Sequence, residues 1–312
     1  MKTIGIIGGS GFIGSYITKK FLSENYKVRV SATDISKKEK YAHLHNLKNS
    51  ENLEIMPLDV RDKDALKSFA EGCEIIVHGG TPFQLDVDDP QKELFDPTVK
   101  GTENFLQIVS QSPDIKKVIF VASVAAYNTN FPMPAGGKNP QDIFTENDPP
   151  FFSEESIPYA QAKFIANQTV SDFIKEQPDL NFEITSVSPV AVMGKALSGR
   201  EDSVSVGLQL LFKNKIMPND FVKMLFENNM ELAMVDVGDV AESIFKAATI
   251  YGLHGKNYLL SSESYRVSDI TRMLNMESPE EKGRVVYSNA LAMKDLGVEF
   301  NSPHIPLGQF SA

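Results

Sequence analysis

Tryptophan is absent from the 312 residues, cysteine occurs once, and no apolar run is long enough to cross a membrane. Each absence excludes something. The lone Cys73 rules out an internal disulfide and any cysteine-based zinc centre, and it reads as a small buried group. Without tryptophan, stacking falls to phenylalanine and tyrosine. Positive charge is also short: 31 Lys and Arg stand against 41 Asp and Glu, for a formal net charge of −10. General nucleic-acid binding needs a basic face and is not expected. The N-terminus opens directly into a strand pattern, so no signal peptide and a cytoplasmic location are expected. The length suffices for a large core and a second lobe.

What is present is an alternation. Apolar, β-branched runs predict strands at residues 3–7, 27–32, 53–57, 75–78, 117–122 and 184–188. Amphipathic stretches between them predict helices starting near Gly11, Lys63, Asp89 to Gly101, Tyr159 and Asp239. This is the pattern of a Rossmann-type α/β fold, a doubly wound parallel sheet that binds ligands beyond its strands' C-terminal ends. A dinucleotide-binding domain is expected over residues 1–190. A smaller C-terminal α/β substrate-binding lobe, interleaved with it, is expected over 191–312.

Two segments break the rhythm. Residues 127–158 are rich in Pro, Gly, Asn and acids, and a loop of that length is more often functional than idle. Residues 193–206 carry Gly194, Ser198, Gly199 and a charged tip. Beyond them Phe212, Met217, Phe221, Met224, Phe226, Met230 and Met234 either line an apolar substrate pocket or form the second lobe's core.

The first strand ends in Gly8, Gly11 and Gly14, and Phe12, Ile13, Tyr16, Ile17 and Phe21 then follow at helical spacing. A strand turning sharply into a helix aims unpaired N–H groups at one point, which suits a pyrophosphate. The alternative is a glycine-rich turn without a ligand. Past the second strand, an acid would bind ribose hydroxyls and a base would accommodate a 2′-phosphate. The chain offers neutral Thr33, acidic Asp34, and then Lys37, Lys38 and Lys40, which also suit a solvated face. After the third strand comes Asp59-Val60-Arg61-Asp62. Its carboxylates suit an adenine amino group, and Asp62 equally suits the cap of a helix starting at Lys63.

Tyr159 and Lys163, four residues apart, share one helix face. A free phenol titrates near pKa ~10, and a neighbouring ammonium is expected to lower that value toward neutrality. Ser123 follows the fifth strand, where ligands bind, and is placed either to fix a substrate carbonyl or to cap a turn. His43 and His45 lack metal-ligating company. His78 is expected to make a structural hydrogen bond. Pro82 and Pro189 are expected to shape loops around the nicotinamide, and Asp239 to cap the helix that follows it.

Together the glycines, Ser123, Tyr159 and Lys163 resemble the extended short-chain dehydrogenase/reductase family. The motif Val235-Asp236-Val237-Gly238-Asp239-Val240-Ala241 is similar to that family's late motif. His78-Gly79-Gly80-Thr81-Pro82-Phe83, Asp89-Pro90 and Pro97-Thr98-Val99-Lys100-Gly101-Thr102 resemble its dihydroflavonol reductase and cinnamoyl-CoA reductase branch. Sugar-nucleotide epimerases of the wider family usually carry Asn where this chain has Thr98. The resemblance implies a Ser123, Tyr159 and Lys163 triad. It implies cofactor contacts from Gly8, Gly11, Phe12, Ile13, Gly14, Thr33, Asp34, Lys40, Asp59, Val60, Gly79, Gly80, Thr81, Tyr159, Lys163 and Pro189. NADP(H) is favoured over NAD(H): Lys40 matches the branch's lysine, although Thr33 stands where its arginine is expected and has no charged fork.

The implied reaction is hydride transfer to an aldehyde or ketone, with Tyr159 donating a proton, Ser123 bonding the same oxygen and Lys163 tuning Tyr159. The expected substrate is an aromatic or medium-sized apolar carbonyl compound, and a homodimer is implied. No metal, membrane or nucleic acid is expected to take part. The competing functions are a sugar-nucleotide epimerase or dehydratase with tightly bound NAD, and a non-catalytic nucleotide sensor. For the epimerase, Lys195, Arg200, Lys213 and Lys215 are available cations.

Overall fold

The computed structural model describes residues 1–79, 89–199 and 203–312. The apolar runs form parallel strands, the central ones buried on both faces as a helix-covered sheet requires and the edge strand at Leu53–Pro57 only partly covered. They are β1 (Thr3–Ile7), β2 (Lys27–Ala32), β3 (Leu53–Pro57), β4 (Ile75–His78), β5 (Lys117–Val121) and β6 (Glu183–Pro189). Then come β7 (Ala191–Met193), β8 (Glu231–Asp236), β9 (Asn257–Leu260) and β10 (Ser264–Arg266). The main sheet has seven strands in the order β3-β2-β1-β4-β5-β6-β9, every neighbouring pair parallel. The chain's direction across the sheet reverses between β1 and β4, which opens a crevice beyond their C-terminal ends.

Helices cover both faces. On one, Ile17, Phe21 and Leu22 of the Phe12–Ser23 helix pack with Val240, Ala241 and Ile244 of the Val237–Thr249 helix. On the other, Leu66, Phe69, Phe105, Leu106 and Val170 close over Ile76, Val118 and Ile184. Burying each such large side chain contributes about 2 kcal/mol. Cys73 is fully buried in this second cluster, and burial pushes its thiol up to about 11, so it stays an inert apolar group. Asp62 caps the Lys63–Ala70 helix by accepting from the N–H groups of Asp64 and Ala65. The Gln91–Lys100 stretch is π-helical and runs into the Gly101–Ser110 α-helix. Pro97 lies inside it; proline has no N–H for an i to i−4 bond, which a wider turn accommodates.

The second sheet orders β10-β8-β7, with β8 antiparallel to β10 and parallel to β7. Met234 of β8 and Phe212 packed against the sheet are fully buried, and Phe221, Met224, Phe226 and Met230 pack at the margin of that cluster. Met217 is exposed. Both excursions are tied down. In the first, the Phe144 N–H donates to the Val286 carbonyl, and Asn128 donates to the Tyr287 hydroxyl at 2.7 Å. In the second, Gln209 clamps Gly194 by accepting from its N–H and donating to its carbonyl.

The expected cap Asp239 is corrected. Asp236 caps the Val237–Thr249 helix by accepting from the Gly238 N–H. Asp239 sits within the helix's first turn and accepts from the backbone N–H and side-chain amide of Asn301, at 2.6 and 2.8 Å. That partner comes from the far end of the chain. No helix among the described residues is long and apolar enough to cross a membrane.

Candidate active site

The turn after β1 is built from backbone. Gly8 has φ +81°, and its N–H donates to Ser31 Oγ at 2.9 Å. The Gly11 N–H donates to the Gly8 carbonyl at 3.0 Å, which folds the loop onto itself. A Cβ on Gly14 would lie 2.0 Å from that carbonyl oxygen, so only glycine fits the helix's first turn here. Gly11 is the N-cap; it makes no side-chain cap bond and no acid occupies the first turn. The helix therefore presents its N–H groups and positive dipole end to whatever lies in front.

In front lies a cleft of about 920 Å³. Six strand ends feed its wall in sheet order. Asp59, Val60 and Arg61 follow β3, Thr33 follows β2, the glycine turn follows β1, Gly79 follows β4, Ser123 follows β5, and Pro189 ends β6. Phe12, Ile13, Lys40, Tyr159 and Lys163 also face it. Asp34 does not. Its carboxylate accepts from Ser36 N–H and Oγ at 3.0 and 2.6 Å and pairs with Lys37, and those bonds hold it below the usual carboxylate range. Gly80, Thr81, Pro82 and Arg200 lie outside the described residues.

The far wall is mostly apolar, with the hydroxyls of Thr129, Ser203 and Ser205 among its lining. Phe131 and Pro132 come from the first excursion, and Val204, Leu208, Phe221, Leu225 and Leu232 from the segment between β7 and the end of β8. Of the Met and Phe run, Phe221 alone reaches the cleft among the described residues; the others serve the core or the surface. Apart from Phe221, the sequence reading did not single out these wall residues, because they converge from distant segments. It also missed Ser31, whose signal is a hydroxyl in an otherwise apolar strand end. Arg61 went unweighed because only the carboxylates beside it drew attention.

Pro158 occupies the first turn of the Pro158–Glu176 helix, which projects Tyr159 and Lys163 along one face. Ser123 caps its turn, its Oγ accepting from the Ala125 N–H at 3.2 Å, and its hydroxyl also hydrogen-bonds Tyr159. Lys163 Nζ donates to the Val121 carbonyl at 3.3 Å and lies 6.0 Å from the Tyr159 ring centroid. The expected lowering of the Tyr159 pKa is corrected by this geometry. Burial pushes the phenol up to about 12, against the pull of the Ser123 bond. Burial likewise pushes Lys163 down to about 8. At this separation desolvation outweighs the ammonium's attraction.

His78 is held neutral, pushed down to about 3 by burial and then by the charge of Lys163. Its ring lies tilted against Phe105 and Phe120. His43 Nε2 lies 2.8 Å from Ser15 Oγ, and that hydroxyl in turn donates to the Gly11 carbonyl. No cluster suited to a metal ion occurs among the described residues.

The sequence matches the NAD dependent epimerase/dehydratase family over residues 4–260. It is 27% identical over 275 residues to the cinnamoyl-CoA reductase CAD2 of Medicago truncatula, covering 86% of this chain and 78% of that one. It is 28% identical over 279 residues to anthocyanidin reductase of Arabidopsis thaliana, covering 88% and 80%. Among solved structures, yeast methylglyoxal/isovaleraldehyde reductase Gre2 complexed with NADPH shares the fold, with a TM-score of 0.81 at 22% identity over 99% of this chain and 97% of that one. A match of this extent, over a sheet and glycine turn of this geometry, shows that the chain belongs to the NAD dependent epimerase/dehydratase family, in the extended short-chain dehydrogenase/reductase branch that includes dihydroflavonol reductase relatives.

Proposed function

We propose that this protein is an NADP(H)-dependent oxidoreductase that reduces an uncharged, largely apolar aldehyde or ketone, and in reverse oxidises the alcohol. One observation carries the reading. A single cleft joins a glycine turn and helix N-terminus, a Ser123–Tyr159 hydrogen bond and an apolar wall. The compared relatives are named as reductases, and the yeast structure holds NADPH, which supports the same reading.

The residues fit a dinucleotide. The turn is drawn tight by its own backbone, with the Gly8 carbonyl oxygen where a Cβ on Gly14 would lie, and the adjoining helix end favours a pyrophosphate. Lys40 and Arg61 line the cleft together with Thr33, and two cations there suit a 2′-phosphate. Bound nicotinamide supplies the hydride for reduction and accepts it in reverse. Tyr159, with its pKa pushed up to about 12, holds its proton at neutral pH and donates it to the carbonyl oxygen. The Ser123 hydroxyl donates a hydrogen bond to the same oxygen and fixes its position. Lys163 stabilises the phenolate that remains on Tyr159 after transfer.

The substrate end argues against the epimerase reading. Its described wall residues carry no charged side chain, and Lys195, Lys213 and Lys215 do not line the cleft. A sugar-nucleotide pyrophosphate placed there would be desolvated without a counter-charge. A sensor would have no use for the Ser123–Tyr159 pair. Tyr159→Phe tests the assignment. Turnover of an apolar ketone with NADPH is expected to fall on the order of 10²–10⁴-fold, with NADPH affinity within about twofold. Full retained turnover overturns the role of Tyr159, and tightly held NAD that survives purification moves the reading to the epimerase.

A further inference from the structure

The adenosine end of the cleft poses a charge problem. Thr33, at the end of β2, is neutral, and the Asp34 carboxylate is spent on Ser36 and Lys37. The neighbouring strand supplies an answer. β2 and β3 run parallel with Ala32 opposite Pro57, and the Leu58 N–H donates to the Ala32 carbonyl at 2.8 Å. The chain leaving β3 therefore passes beside Thr33, and three residues on it brings Arg61 into the lining of the cleft with Thr33 and Lys40.

Arg61 is braced. Asp59 accepts from its backbone N–H at 2.9 Å, from Nε at 3.0 and 3.2 Å, and from Nη2 at 2.7 Å. The side chain is 69% exposed, so the brace holds a solvent-facing guanidinium at the cleft rather than burying it. A guanidinium offers five N–H donors, and this pairing uses only one side of the fork. The pairing also offsets the Asp59 charge, which would otherwise repel a phosphate.

We propose that Arg61, together with Lys40, reads the 2′-phosphate of the dinucleotide and so replaces the cation that Thr33 lacks. The assignment rests on the NADP(H) reading above and adds the residue that enforces it. Arg61 does two things here: it donates to the phosphate, and it masks the Asp59 carboxylate. Losing it both removes a donor and uncovers a like charge, whereas the glycine turn and helix N-terminus that would hold the rest of the dinucleotide are untouched. The effect therefore falls on NADPH and spares NADH.

The test titrates NADPH and NADH separately against the full-length wild-type chain, Arg61→Gln, Arg61→Lys and Lys40→Gln, following fluorescence. Wild type is expected to favour NADPH. Arg61→Gln is expected to raise the NADPH Kd about tenfold or more, as loss of a charge-assisted hydrogen bond does. Its NADH Kd is expected to stay within about twofold, and Arg61→Lys to recover part of the loss. An unchanged NADPH-to-NADH ratio in Arg61→Gln, or equal weakening of both, overturns the proposal and leaves Arg61 as a loop brace. A wild-type chain without preference for NADPH overturns the cofactor reading itself, a result visible before any variant is compared.

Discussion

At the glycine turn, a methyl group on Gly14 would sit 2.0 Å from the Gly8 carbonyl oxygen. At the opposite end of the same cleft, Leu208, Phe221 and Leu225 form the wall with side chains from two separate helices. The first wall is backbone, positioned by strand register and closed to substitution. The second is side-chain volume, positioned by packing around the second sheet and open to exchange. One cleft thus combines a part that is fixed in shape with a part that can be reshaped residue by residue, and the two ends should fail differently.

The largest effect is expected at the backbone wall. Gly14→Ala must push the turn apart, so measurable dinucleotide binding should vanish and stability should fall by roughly 1–3 kcal/mol. Urea unfolding and a cofactor titration check both parts; normal binding would break the comparison by showing a yielding wall. Phe221→Ala, at the volume wall, should raise KM for an apolar ketone about tenfold. Its NADPH Kd should hold within twofold, and a parallel loss of cofactor affinity would show that the ends are coupled.

A smaller effect tests the support beneath the cleft. His78 titrates near 3 in the folded chain and near 6.5 when unfolded, so its contribution is complete above pH 6.5 and is lost as pH falls toward 3. Between pH 7 and 5 the melting temperature of wild type should drop more than that of His78→Asn; equal drops would remove His78 as the source. Asp239 has the opposite slope, because burial raises it to about 6 from 3.8 and stability then grows as pH falls between those values. Present in both proteins, it cancels in the comparison. The smallest effect is Asp62→Ala, expected to cost about 1 kcal/mol through the lost helix cap and to leave the NADPH Kd unchanged.

The same division explains what was legible in the sequence. The predicted spans of β1 to β4 coincide with the observed strands, because buried parallel strands announce themselves as short apolar runs between turn residues. β5 ends one residue earlier than expected, and β6 extends by one at each end. The second sheet was not predicted strand by strand, since β7 and β10 are only three residues long. Asp236 and Asp239 are both plausible caps by local pattern, and the choice between them was made by Asn301, a partner sequence spacing does not disclose. Asp34 lies two residues before Ser36, and this local bond took it from the ribose side of the cleft. The Tyr159 and Lys163 spacing was readable; the balance of burial against charge around them needed the packed structure.

The seventh strand also dictates the order in which this chain can finish folding on the ribosome. β6 emerges early, yet its neighbour β9 is synthesised only after β7, β8 and the helices between have been made. Until then one side of β6 offers unpaired N–H and C=O groups to any passing strand. The Lys256 carbonyl, which accepts from the Ser186 N–H, and the Asn257–Leu260 run that follows act as a late-arriving seal on that edge. A nascent chain stalled before Asn257 would display an adhesive margin that the completed protein never shows.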